Sequence, residues 1–240
     1  MVVVRNKIIG VFILLFFYSA LTTVFASSEP FSTWSNIKTL PYTYANTQLS
    51  IDSNKLFIYG ATVQLGNSRS YVRSIDINND GSLGNFNSDS ANMIEKSIWH
   101  SMITKDNFVY ILGGTRENSP GQPYSVGSTY FGQILNGKIS NWISGSDLND
   151  GKRISLGSAV RVNDKIYLLG GATWTNGGSP VVSSDIFVST INSADGSLSS
   201  WNYANKSMPT SLFEHGAVAV GNKIILIGGS LDSNFSSTNK

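Results

Sequence analysis

Tyr110-Ile111-Leu112-Gly113-Gly114, Tyr167-Leu168-Leu169-Gly170-Gly171 and Ile225-Leu226-Ile227-Gly228-Gly229 are three copies of one phrase, an apolar run closed by two glycines. Phe57-Ile58-Tyr59-Gly60-Ala61 is a degenerate fourth. The first glycines stand 53, 57 and 58 residues apart, and so steady a period marks a repeat architecture. A single repeat cannot bury its own apolar face, so the array is the folding unit.

Working outward from each glycine pair, the preceding residues form two short runs split by a turn. Ser158-Ala-Val-Arg-Val, then Asn163-Asp164, then Lys165-Ile-Tyr-Leu-Leu is one copy. Ala217-Val-Ala-Val, Gly221-Asn222, Lys223-Ile-Ile-Leu-Ile is another. β-Branched runs separated by two residues of Asn, Asp or Gly predict hairpins. Asp106-Asn107 and Ser53-Asn54 hold the same phase in the earlier copies. After the glycines the pattern predicts a polar loop of variable length and a third strand, at Tyr71–Ile77, Thr129–Ile134 and Asp185–Ile191. A turn follows each, at Asp80-Gly81, Asn136-Gly137 and Asp195-Gly196, and a fourth strand then reaches Phe86, Trp142 or Trp201. Four strands meandering up and down make one blade of a β-propeller.

These residues resemble the kelch repeat, in which an apolar strand ends in Gly-Gly and a spaced Tyr and Trp follow. Gly113-Gly114, Tyr130 and Trp142 match; Gly170-Gly171, Phe187 and Trp201 match with Phe for Tyr; Gly60-Ala61, Tyr71 and Phe86 are degenerate. The Asp-Gly-Ser-Leu turns at 80–83 and 195–198 are similar to those of secreted bacterial members. The resemblance covers residues 31–240 and implies an all-β, kelch-type propeller, as in the central domain of galactose-oxidase-like proteins. About three full four-stranded blades are expected at 44–86, 98–142 and 157–201. A split or incomplete blade would combine 213–240 with a strand at 31–34 around Trp34. A closed ring of four, a piece of a longer propeller and an open arc completed by association all fit; an open arc is the reading preferred here.

The first 26 residues are a segment apart. Arg5 and Lys7 precede an apolar run from Ile8 to Phe17, and Val24-Phe-Ala26 offers a small-residue cleavage site, the layout of a secretory signal peptide. An uncleaved anchor is the alternative, because Ile8–Ala26 carries no charge. The expectation is therefore a secreted or periplasmic protein spanning 27–240, with no membrane span once the leader is removed. The 17 basic residues less Arg5 and Lys7 leave 15, against 15 acidic ones, so the mature chain is neutral. It lacks the basic footprint of a nucleic-acid binder. There is no cysteine, so no disulfide reinforces the core. Nor can the copper radical chemistry of galactose oxidase operate, since it requires a cysteine bonded to a tyrosine.

Candidate functional residues follow from phase. His100 and His215 each lie 13 residues before the first glycine of a pair, near the start of an innermost strand. They point to a ligand or metal at the central channel, or else to a scaffold position that hydrogen-bonds loop backbone in each blade. Thr47 and Gly157 hold the same phase, so no ring of ligands exists and no metal is expected. Glu214 and Arg153 form the one acid–guanidinium pair nominated for catalysis, with Arg116 and Glu117 in a post-glycine loop as further polar candidates. A solvated ion pair is the plain alternative. Trp99 and Trp174 offer flat faces to a sugar ring. Asp76-Ile-Asn78-Asn-Asp80-Gly81 opens like a calcium loop, but Asn87 stands where a bidentate acid belongs. No cofactor is expected. Two functions remain: a non-catalytic module presenting inter-blade loops to a glycan or protein, or a carbohydrate-active enzyme similar to kelch-type sialic-acid epimerases.

Overall fold

The computed structural model describes residues 38–39, 46–62, 68–117, 123–175 and 178–232. Two compact units divide the chain, residues 1–39 and 40–240, and the architecture below belongs to the second. The leader and the strand expected at 31–34 lie outside the described residues, as does 233–240.

The second unit is all-β. Its first blade is the antiparallel sheet β1 (Gln48–Asp52), β2 (Lys55–Thr62), β3 (Ser68–Ile77) and β4 (Leu83–Asn87), paired in chain order. The second blade comprises β5 (Ser101–Lys105), β6 (Phe108–Leu112), β9 (Thr129–Leu135) and β10 (Lys138–Ser144). In the third, β11 (Ser158–Val162), β12 (Lys165–Leu169), β15 (Ile186–Thr190) and β16 (Asn202–Tyr203) pair in the same order. A fourth sheet contributes β17 (Gly216–Val220) and β18 (Lys223–Ile227). Among the described residues the one helical element is a 3₁₀ turn at Asn149–Gly151.

The post-glycine segments, expected as plain loops, carry strands of their own. Hairpins β7 (Thr115–Glu117)–β8 (Pro123–Ser125) and β13 (Ala172–Thr173)–β14 (Val181–Val182) stand there. Short polar segments give little alternation to read, and their pairing is tertiary: Thr115 bridges Ile98, Ala172 bridges Ser155, and Ser230 bridges Phe213. Each first hairpin turns on a left-handed residue, Ser53, Asp106, Asn163 or Gly221, with φ between 52° and 60°. The next carbonyl is then fixed to the third strand, with Ile77, Ile134 and Ile191 donating to Asn54, Asn107 and Asp164 at 2.6–2.7 Å.

Blades stack face to face, and the core lies between them. Phe57, Tyr59 and Val72 of the first blade meet Val109 and Ile111 of the second. Tyr110, Leu112 and Phe131 meet Ile166, Leu168, Phe187 and Trp201. Val160 and Leu169 meet Ala217, Ala219, Ile224 and Leu226. At about 1.5–3 kcal/mol for each fully buried large side chain, these seams dominate the stability of the array. The first strands β1, β5, β11 and β17 run side by side, which makes them the innermost strands.

Candidate functional site

Fourteen residues before each first glycine stand Asn46, Trp99, Leu156 and Glu214, and all four are left-handed, with φ 57°, 56°, 55° and 57°. For a side chain other than Gly, Asn or Asp this costs about 1–2 kcal/mol. The arrangement is held by backbone bonds from blade to blade. Leu156 N–H donates to Trp99 O (2.8 Å), and Glu214 N–H donates to Leu156 O (2.9 Å). Two positions on, Ser101 Oγ donates to Gly157 O (2.7 Å) and Ser158 Oγ donates to His215 O. The strand entrances are thus laced together, and they surround one cavity of about 390 Å³.

Trp99, His100, Glu214 and His215 all line this cavity, together with Thr47 and Gln48. Glu214 is exposed and Trp99 half-buried, so carboxylate and indole remain available to a ligand. The histidines are not equally available. His100 is 2% exposed and His215 5%, and neither ring nitrogen of either has a hydrogen-bond partner among the described residues. Burial pushes His100 down to about 4. Burial lowers His215 as well. Both are neutral at pH 7.

Their surroundings repeat. A Cβ built on Gly60 would lie 3.0 Å from Met93 Cε and 3.3 Å from His100 Cε1; one on Gly170 would lie 2.4 Å from Met208 Cε and 3.2 Å from His215 Cε1. Each imidazole therefore packs against the first glycine of the preceding blade. On its other side is the second glycine of its own blade, Gly114 or Gly229, whose added Cβ would meet the histidine Cβ at 3.0 or 2.8 Å.

Arg153 and Arg116 lie elsewhere. They line a second cavity of about 400 Å³ over the second blade, with Glu95, Tyr124, Ser128 and Asp147. Arg116 is ion-paired to Glu95, its Nε donating to Oε2 at 3.0 Å, and Ser128 Oγ donates to the same carboxylate at 2.8 Å. The nominated pair is thus divided: Glu214 belongs to the central cavity and Arg153 to the other. Trp174 is 8% exposed, tilted against Trp99 at 5.7 Å and edge-on to Phe213 at 6.1 Å, so its faces are occupied by packing. Its role is to back Trp99. Glu117's side chain is outside what the structure describes.

The calcium-like stretch is committed to the sheet. Asp76 is bonded to Lys55 Nζ (3.0 Å) and Asn87, while Asp80 Oδ1 accepts from Ser82 N–H (2.9 Å) and Ser82 Oγ (2.7 Å). Asp195 and Ser197 repeat the second arrangement. Among the described residues no three His, Asp or Glu side chains gather to hold a metal ion. Also among them, no helix is long and apolar enough to cross a membrane.

Sequence reasoning missed Gln48 as lining and Leu156 as strained. Counting back 12 and 14 residues from each glycine pair, beside the 13 that finds the histidines and Thr47, reaches both positions.

No family model matches the chain, and no curated protein matches it in sequence. Among solved structures, that titled "Structure of YjhT" is similar, with a TM-score of 0.66 at 12% identity over 84% of this chain. The match spans 66% of that structure's length, just under two thirds. At such identity the likeness carries architecture alone: the chain has a kelch-like β-propeller fold.

Proposed function

We propose that this protein is a carbohydrate-binding module, exported by its leader, that takes a sugar into the cavity at the head of its innermost strands. One observation carries the reading: four equivalent strand entrances converge on about 390 Å³ lined by an indole, a carboxylate, an amide and a hydroxyl. An indole face complements the C–H face of a sugar ring. Glu214 supplies acceptors for ring hydroxyls, and Gln48 and Thr47 supply both donors and acceptors. The buried histidines support this cavity as neutral scaffolding.

A glycan array probed with the purified protein, followed by calorimetry on the best ligand, tests the reading. Trp99→Ala should weaken binding roughly three- to tenfold, matching the worth of an aromatic contact. An array with no binding above background would end it.

Glu214 at the cavity also favours a second reading, a sugar mutarotase of the kind the sequence resembles, with this carboxylate as proton acceptor. The separation of Arg153 from Glu214 weighs against it. Anomer exchange of sialic acid followed by NMR separates the two. Acceleration lost in Glu214→Gln would establish catalysis, and an unchanged exchange rate alongside array binding would leave a pure binder.

A further inference from the structure

The cavity at the strand entrances is one-sided in charge, and that bears on which sugar it takes. Among its described lining residues Glu214 is the one that bears a full charge at neutral pH, since no Lys or Arg lines it and both histidines are neutral. Residues 40–45, which precede Asn46 in the chain, bring no charge of either sign. Arg153, the nominated countercharge, lines the other cavity. Glu214 is exposed and has no ion-pair partner among the described residues. Its place is fixed by the backbone, at φ 57° with its N–H donating to Leu156 O at 2.9 Å.

The same cavity holds Trp99, half-buried, with Trp174 behind it at 5.7 Å between ring centres. An indole draws a cation to its face more strongly than the other aromatic side chains do. A carboxylate without a countercharge attracts that same cation and repels an anion. His100 and His215 also line the cavity, 2% and 5% exposed, with neither ring nitrogen partnered among the described residues. Uncharged, each offers an acceptor to an N–H donor and no repulsion to a cation. A sugar acid would meet the opposite, a carboxylate facing its own and no guanidinium or ammonium to hold it. On the reading that this cavity takes a sugar, we propose that the sugar is cationic, a hexosamine unit whose free protonated amine is held by Trp99 and Glu214. The amine, rather than the ring hydroxyls, then sets the selectivity.

Calorimetry on the purified protein at about pH 6, where sugar amines carry their proton, compares oligomers of glucosamine, N-acetylglucosamine and galacturonic acid of equal length. The glucosamine oligomer should bind roughly tenfold tighter than its acetylated counterpart, and the galacturonic oligomer most weakly. Glu214→Gln should bring the ratio of the first two affinities to about one. In the unmutated protein the same ratio should shrink as sodium chloride is raised, because an exposed carboxylate is screened. That second measurement decides the matter even if the variant does not fold. Preference for the acetylated or acidic oligomer overturns the amine and leaves the sugar site standing. So does a ratio that ignores salt, or one preserved in folded Glu214→Gln. Binding to none of the three overturns the amine as well, and the glycan array then decides whether the cavity takes a sugar at all.

Discussion

Gly113 and Gly170 combine a left-handed backbone, φ 62° and 56°, with the close approach of the next blade. An added Cβ would meet Ile154 O at 2.3 Å or Leu212 O at 2.5 Å. Those carbonyls cannot retreat, because the N–H groups of Gly114 and Gly171 donate to them at 2.7 Å. Gly221 is left-handed too, at φ 60°, but open space surrounds it. Chemical denaturation should therefore show Gly221→Ala costing about 1 kcal/mol, and Gly113→Ala at least twice as much. Glu214 offers the converse experiment. Its left-handed, exposed backbone favours glycine, so Glu214→Gly should raise the melting temperature while ligand affinity falls, strain being kept there for the site.

His100 adds a pH dependence of definite sign. Its folded pKa is about 4 and the ordinary value 6.5, so between these limits the unfolded chain binds a proton that the folded chain refuses. The contribution is fully present above about pH 6.5 and is lost as pH falls towards 4, by roughly 3 kcal/mol at most. His215 acts in the same direction. Melting temperatures from pH 7 to 4.5 should fall, and His100→Leu should flatten the slope whatever it does to the absolute value.

At the scale of the element, the fourth strands show how one repeat position serves two environments. Trp142 lies across from Gly132, where an added Cβ would meet its ring at 3.0 Å, and its Nε1–H donates to Ala91 O at 3.0 Å. Trp201, at the same phase, is 2% exposed with no partner for its Nε1–H among the described residues. Removing an indole that is hydrogen-bonded loses that bond, whereas removing one whose N–H is buried and unpaired also removes a penalty. Trp142→Phe should cost about 1–2 kcal/mol and Trp201→Phe less, as measured by urea denaturation. The hairpins fit this local economy. Their turn residues were legible because Asn, Asp and Gly tolerate positive φ, while β7–β8 and β13–β14 were not, their partners being supplied from distant residues.

At the scale of the whole molecule, each blade depends on its neighbours, as in other repeat arrays. The second and third blades are packed on both faces; the fourth, among the described residues, has two strands and one packed face. Hydrogen exchange should accordingly protect β6 and β12 most and β17–β18 least. Protection equal throughout would count against this reading.

The period of the glycine pairs, the hairpin dipeptides and the aromatic phase determine an all-β array of blades, because strand alternation and turn chemistry are local properties. That His100 and His215 stand at equivalent strand entrances followed from phase as well. Tertiary structure alone decided that Arg153 falls into a different cavity from Glu214 and that Trp174's faces are spent on packing. Those outcomes depend on how far one blade rotates past the next, and that angle is set by the summed packing of side chains across a seam, which no single stretch of sequence contains.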